Sequence, residues 1–206
     1  MYILYSLGTP NGIKPTIMLE ELKAPYEIKR VNIREGEQFK PEFLKISPNN
    51  KIPVIYDPEN DFYLFESVAI LEYLADKHQQ FLPKDLKHRL NVLKWCYFQV
   101  GHIGPMFGQY GHFHRYAPKQ VPYAKKRYAD EVLRLMAVMD KELVQHAYIS
   151  GTDYTIADMA IWPWLYCYEH FYEATIDGKQ FPHLMQWYQT ISQRPQVQAA
   201  LAAYKD

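Results

Sequence analysis

Asn49-Asn50-Lys51-Ile52-Pro53-Val54, followed by Phe65-Glu66-Ser67-Val68-Ala69-Ile70, is the stretch from which the fold of this chain can be read. Ile52-Pro53 stands between a polar loop and the β-branched run Val54-Ile55-Tyr56. Proline has no N–H to give to a sheet, so Pro53 belongs at the first residue of a strand or in a tight turn. An X-Pro bond in such a turn is a candidate for the cis form. That turn would carry the backbone of Lys51 and Ile52 outward, where an N–H and a C=O can meet an extended ligand. Glu66 and Ser67 then head a helical pattern in which Val68, Leu71, Tyr73, Leu74 and Ala75 recur at close to helical spacing. A serine and N–H groups at a helix start attract an anion, and Glu66 beside them accepts from a cation. Together the two segments predict a grip on a short peptide that carries a carboxylate next to an amine.

Working outward, Tyr2–Ser6 reads as a short buried strand and Gly8–Gly12 as a turn. Pro15 is tolerated only in a first helical turn, so the next helix should begin near Gly12 or Ile13. Tyr26–Ile33 alternates as a strand, Glu35–Gln38 is an exposed loop, and Pro41–Leu44 is a helical turn. Strands at Val54–Asp57 and Phe62–Phe65 and a helix at Ser67–His78 complete the order βαβ then αββα. That order predicts a thioredoxin-like layer of four strands over residues 1–80. Residues 81–85 read as a linker, with Asp85 placed to cap the next helix, and residues 86–206 are helical throughout. Gly101, Gly104, Pro105, Gly108 and Gly111 should kink the helix that starts at Leu86. Thr155-Ile156-Ala157-Asp158 reads as a capping box, opening an apolar and therefore central helix. The expected fold class is an α+β domain followed by an all-α bundle.

At 206 residues and 48% hydrophobic, the chain can bury a full core. Basic and acidic residues balance at 23 each, with 9 basic and 12 acidic in residues 1–80, so neither half points to nucleic acid or a membrane surface. The N-terminal apolar stretch is too short for a signal peptide and no run reaches transmembrane length, so a cytoplasmic protein is expected. Cys96 and Cys167 form no CxxC and sit among aromatic residues, which reads as two buried structural thiols.

The Ile-Pro-Val turn followed by Glu-Ser at a helix start resembles the glutathione-binding half of the glutathione transferase superfamily. Thr155–Asp158 resembles the capping motif of its all-helical half. Thr9-Pro10-Asn11-Gly12, Gly36-Glu37-Gln38-Phe39, Ser47 to Pro53, Gly104-Pro105-Met106 and Gly108-Gln109 narrow the resemblance to the bacterial Nu class. It implies a homodimer that binds glutathione and reduces small or mixed disulfides, with weak conjugating and possible peroxidase activity. A noncatalytic regulatory dimer that holds glutathione or a hydrophobic ligand is the alternative.

The turn after the first strand of a thioredoxin-like domain often carries a CxxC, but here it is Thr9-Pro10-Asn11-Gly12, so any sulfur must arrive with the ligand. A free thiol titrates near pH ~8.5, and hydrogen bonds to the thiolate lower that value. Thr9 and Asn11 offer such donors, although Thr9 is equally suited to cap the helix and Asn11 to a left-handed turn. Tyr5 and Ser6 are lesser candidates for the same role. The resemblance puts Gln38 and Lys51 near the glycyl end of glutathione, Ile52 and Pro53 on its cysteinyl backbone, and Glu66 and Ser67 on its γ-glutamyl group. It also implies that Arg127 acts across a dimer interface. Tyr110, His112, His114, Trp164 and Tyr168 are the candidates for a second-substrate pocket. His102, His112 and His114 lack the spacing of metal ligands, and no metal is expected.

Overall fold

β1 (Tyr2–Ser6) runs between two neighbours in a four-stranded sheet of order β2-β1-β3-β4. It lies parallel to β2 (Tyr26–Arg30), with helix α1 (Pro10–Leu22) as the crossover. On its other side β3 (Val54–Asp57) is antiparallel and sets Ile55 opposite Leu4. β4 (Phe62–Phe65) returns along β3, with Phe65 opposite Val54. α2 (Pro41–Leu44) and α3 (Ser67–His78) complete the mixed α+β layer foreseen from the sequence. The computed structural model describes residues 1–205.

Two local expectations are revised. β2 stops at Arg30 rather than Ile33: Val31 still donates to Ser6 O at 3.0 Å, but Asn32 donates its N–H to Glu37 Oε2 at 2.7 Å and turns the chain away. α1 begins at Pro10, not at Gly12 or Ile13. Thr9 is extended (φ −106°, ψ 164°) and its Oγ1 accepts the Gly12 N–H at 3.2 Å, which fixes the start two residues earlier. Pro10 then occupies the position where a missing N–H is harmless, while Pro15 lies inside the helix and brings no donor to the Asn11 carbonyl.

The chain divides into two compact units, residues 1–82 with the chain from Gln193 onward, and Pro83–Ser192. The helical region expected to run from residue 86 to the end therefore gives up its last helix, α9 (Pro195–Ala202), to the first unit. α9 packs on α1. Tyr204 places its hydroxyl 2.9 Å from Ser6 Oγ, 2.7 Å from Thr16 Oγ1 and 3.1 Å from Gly12 O. Arg194 pairs bidentately with Glu21 at 2.6 and 2.8 Å. The core of this unit joins Leu4 and Ile55 of the sheet to Ile17, Met18 and Leu19 of α1 and Ile70, Leu71 and Leu74 of α3, all fully buried. A smaller cluster of Val31, Phe43, Ile52 and Val54 sits beside it.

In the second unit, α4 (Leu86–Phe98) is capped by Asp85, which accepts the His88 N–H at 3.1 Å. The glycine-rich stretch stays helical, but α5 (Gly104–Gly111) is flanked by π-helical turns at Gln99–Ile103 and His112–Tyr116. α6 (Pro122–Leu143), α7 (Ile156–His170) and α8 (Pro182–Ser192) follow. The capping box of α7 forms as expected: Thr155 Oγ1 accepts from Ala157 N at 3.3 Å and Asp158 Oδ2 from Thr155 N at 2.9 Å. Asp158 Oδ1 also accepts from Ile149 N at 2.9 Å and Trp187 Nε1 at 2.8 Å, so this carboxylate ties three segments together. Burial nonetheless pushes it up to about 6. Cys96 and Cys167 are both buried, and burial pushes the Cys167 thiol up to about 12. Among the described residues no helix is long and apolar enough to cross a membrane.

Candidate functional site

Three segments of the first unit converge on one cavity of about 240 Å³: Asn11 from the start of α1, the loop from Ser47 to Pro53, and Phe65, Glu66 and Ser67 at the β4–α3 corner. Each is placed by a local cause. The cap on Thr9 starts α1 where Asn11 falls in its first turn. In the loop, buried Ser47 donates its hydroxyl to Lys51 O at 2.7 Å and accepts the Lys51 N–H at 3.3 Å. This closes a turn in which Asn50 is left-handed (φ +48°). The Ile52–Pro53 bond is cis, and the Ile52 side chain anchors the loop in the cluster of Val31, Phe43 and Val54.

Glu66 carries the backbone strain of the site. It is a non-glycine residue at φ +73°, ψ 110°, in the position preceding α3, a conformation costing about 1–3 kcal/mol. Ladder pairing of Phe65 with Val54 on one side and the bond from Ile70 N to Glu66 O at 2.9 Å on the other hold it there. The outcome is an exposed carboxylate next to the buried Ser67 at the start of α3.

Beneath the cavity lies a residue that no sequence motif singles out. Lys14, on α1, is 1% exposed, and its Nζ donates to Asn11 Oδ1 at 2.8 Å and to Ser67 Oγ at 3.1 Å. Its only sequence signal is its place three residues after Asn11 on the same helical face. Ser47, which the sequence offers only as part of the string Ser47 to Pro53 and not as a site residue, is likewise a cavity residue.

The remaining candidates of the first unit occupy different places. Thr9 is half-buried beside Asn11, its Oγ1 taking the Gly12 N–H, which leaves the hydroxyl hydrogen to donate elsewhere. Gln38 is outside the cavity lining; its Nε2 donates to Ile33 O at 3.2 Å, while Oε1 is buried with no partner among the described residues. The rivals Tyr5 and Ser6 are engaged in the sheet: Tyr5 packs near Tyr63, and Ser6 is fully buried against the Tyr204 hydroxyl.

In the second unit, Tyr110 stacks on His114 at 4.9 Å and meets Tyr168 at 5.3 Å, so these three form one aromatic cluster. Burial, then the charges of Lys125 and Arg115, lower the His114 imidazole below its usual value. Trp164 is buried on α7 and packs near Gly108. His112 is set apart from the cluster: it is exposed, edge-on to Phe113. Arg127 is exposed on α6 and lines a groove of about 720 Å³ with Tyr123, Lys126, Glu131 and Arg134. Among the described residues no group of three or more His, Cys, Asp or Glu is placed to hold a metal ion.

This set, the Glu66 carboxylate, the Lys51 ammonium, the Ser67 hydroxyl and the Asn11 amide around one cavity, suits a zwitterionic, extended ligand. Comparison with known proteins agrees. Residues 1–76 match the family model "Glutathione S-transferase, N-terminal domain", and residues 103–195 the model "Glutathione S-transferase, C-terminal domain". The disulfide-bond oxidoreductase YfcG of Escherichia coli is 43% identical over 98% of this chain and 94% of its own length. A glutathione transferase family member from Pseudomonas fluorescens, solved with two glutathione bound, is 44% identical, with a TM-score of 0.91 over 97% of this chain and 92% of that one. A glutathione transferase from Pseudomonas putida, solved with one glutathione disulfide per subunit, is 42% identical, with a TM-score of 0.92 over 97% of this chain and 90% of that one. With both family models matched and relatives above 40% identity covered nearly end to end, this chain belongs to the glutathione S-transferase family.

Proposed function

We propose that this protein is a glutathione-dependent disulfide-bond reductase in which bound glutathione supplies the sulfur. The observation that carries the reading is the turn after β1. Where a thiol-based thioredoxin-like site would hold cysteine, this chain holds Thr9 and Asn11, with Asn11 facing the cavity that Lys51, Glu66 and Ser67 also line. The chain's two cysteines are buried elsewhere, in α4 and α7. YfcG, named a disulfide-bond oxidoreductase, and the Pseudomonas putida neighbour with its bound glutathione disulfide support the assignment.

In this reading Glu66 accepts from the γ-glutamyl ammonium, and Ser67 with the first N–H groups of α3 takes the adjacent carboxylate. Ile52 pairs through its peptide groups with the cysteinyl backbone beside Pro53, and Lys51 takes the glycyl carboxylate; Gln38, its amide tied to Ile33 O outside the cavity lining, would have to turn to join it. Thr9 and Asn11 donate to the sulfur, favouring thiolate over thiol. The thiolate attacks the glutathionyl sulfur of a glutathione mixed disulfide, such as forms when glutathione first exchanges with a small disulfide. A new S–S bond forms as the old one breaks, the electron pair leaves with the departing thiolate, and that thiolate takes a proton from water. The products are oxidised glutathione and a free thiol. Conjugation and peroxide reduction would use the same thiolate as weaker side activities. We further propose a cytoplasmic homodimer in which Arg127 serves the partner's site, and assign second-substrate recognition to Tyr110, His114, Trp164 and Tyr168 of the second unit, with His112 beside them.

The test is reduction of bis(2-hydroxyethyl) disulfide by glutathione, run beside conjugation to chlorodinitrobenzene, in wild type, Thr9→Ala and Asn11→Ala. Disulfide turnover that greatly exceeds conjugation and falls at least tenfold in either variant is the expected result. Dominant conjugation would make the protein an ordinary transferase, and silence in both assays despite glutathione binding would make it a regulatory module. A glutathione adduct on Cys96 or Cys167 forming at the turnover rate would also defeat the reading.

A further inference from the structure

Lys14 is a lysine buried to 1% exposure in the middle of α1, and it bridges two elements that share the cavity wall. Its Nζ reaches Asn11 Oδ1 at 2.8 Å on its own helix and Ser67 Oγ at 3.1 Å at the start of α3, 53 residues further along the chain. A lysine ammonium only donates. The Asn11 side chain must therefore turn its carbonyl oxygen inward, which leaves the amide N–H groups directed away from Lys14. Ser67 must accept from Lys14 with its oxygen, so its own O–H is directed elsewhere. Without the ammonium, Asn11 is as free to present oxygen as nitrogen, and Ser67 as free to accept as to donate.

We propose that Lys14 is a positioning residue that sets the polarity of the site: by occupying the acceptor oxygens of both Asn11 and Ser67, it makes each of them a donor toward the cavity. The two donors then suit an anionic ligand at two separate points, a sulfur at Asn11 and a carboxylate at Ser67. One buried side chain thus serves both ends through its two hydrogen bonds. The inference rests on glutathione as the ligand of this cavity, and it assigns to Lys14 the ionisation of the glutathione thiol through Asn11 together with part of the γ-glutamyl affinity through Ser67.

The experiment titrates glutathione bound to wild type, Lys14→Met and Lys14→Gln. Thiolate absorbance near 240 nm is followed against pH, glutathione affinity is measured by calorimetry, and folding is checked by circular dichroism. In Lys14→Met the thiol midpoint should rise by about one pH unit, cutting the thiolate fraction about tenfold at pH values well below the midpoint. Affinity for S-methylglutathione, which has no thiol to ionise, should fall about three- to tenfold through Ser67 alone. Lys14→Gln, which keeps one N–H donor without the charge, should fall between the two and carries the test should the methionine variant not fold. In an Asn11→Ala background the Lys14 substitution should no longer move the thiol midpoint. A midpoint within 0.3 pH units of wild type in both Lys14 variants, or an equal displacement with Asn11 absent, overturns the proposal. Wild type that binds and ionises glutathione but reduces no disulfide would defeat the reductase reading and leave Lys14 testable by the same titration. Wild type that binds no glutathione overturns both.

Discussion

Replacing Asp158 by alanine sets two large effects against each other, and the structure says which wins. The carboxylate is fully buried and receives Ile149 N, Thr155 N and Trp187 Nε1 within 3 Å. Asp158→Ala strands all three donors, and at about 2 kcal/mol each the loss comes to about 6 kcal/mol. Against this, burial holds the carboxyl at about 6 instead of 3.8, and the substitution removes the roughly 3 kcal/mol that ionising it there costs at neutral pH. The net expectation at pH 7 is a loss of about 3 kcal/mol, or a melting temperature lower by about 6–12 °C. The raised value adds a signed pH dependence. A carboxyl whose folded pKa exceeds its unfolded one stabilises the fold below the unfolded value and loses that contribution as pH rises through the folded value. Between pH 7 and pH 5 wild type should gain about 1.4 kcal/mol that the variant cannot, so the gap widens in acid. All four tryptophans lie in the unit that contains Asp158, so urea unfolding followed by tryptophan fluorescence at pH 7 and pH 5 reads the right part of the chain. A loss under about 1 kcal/mol at pH 7, or a gap that does not widen by pH 5, would refute the reasoning.

Two further outcomes concern the first unit. A Cβ on Gly12 would lie 2.0 Å from Leu7 O and 2.4 Å from Ser6 Oγ, so Gly12→Ala must displace the first turn of α1. Glutathione affinity measured by calorimetry should fall at least tenfold in a protein that keeps its circular dichroism spectrum. Asp57 gives a pH dependence of opposite sign to Asp158. Burial alone would raise it, but hydrogen bonds from Lys77, Tyr73 and the Glu59 N–H outweigh that and hold it at about 2. A depressed folded pKa stabilises above the unfolded value near 3.8 and is lost as pH falls toward 2. Asp57→Asn should therefore cost about 1–2 kcal/mol at pH 6, and urea midpoints should show that gap shrinking by roughly half at pH 3.

The features legible in the sequence were local. Thr155 and Asp158 recognise each other across one helical turn, and the two ends of their capping box are visible as a four-residue string. Ile52-Pro53 and Glu66-Ser67 could be read because a proline at a strand entry and a serine at a helix start each carry their constraint in their own backbone chemistry. Lys14 could not be read in this way. A lysine within a helix is ordinarily a surface residue, and one of the partners Lys14 meets when buried, Ser67, is remote along the chain. Pro15 misleads as to where α1 starts, because the cap on Thr9 outweighs a helix-interior proline. Gln38 sits in the string that carried the resemblance, yet its amide is tied to the Ile33 carbonyl, a bond that no local pattern announces.

The last helix has a consequence for how the molecule is made. Tyr204 closes its hydroxyl on Ser6, Gly12 and Thr16, and Arg194 grips Glu21, so the first unit is completed by residues that leave the ribosome after the whole of the second. Pro83–Ser192 is contiguous in the chain, whereas the unit that carries the sheet needs side chains from both sides of that segment. A nascent chain released before Arg194 would carry every residue lining the cavity, yet lack the tether that holds the root of α1 in place.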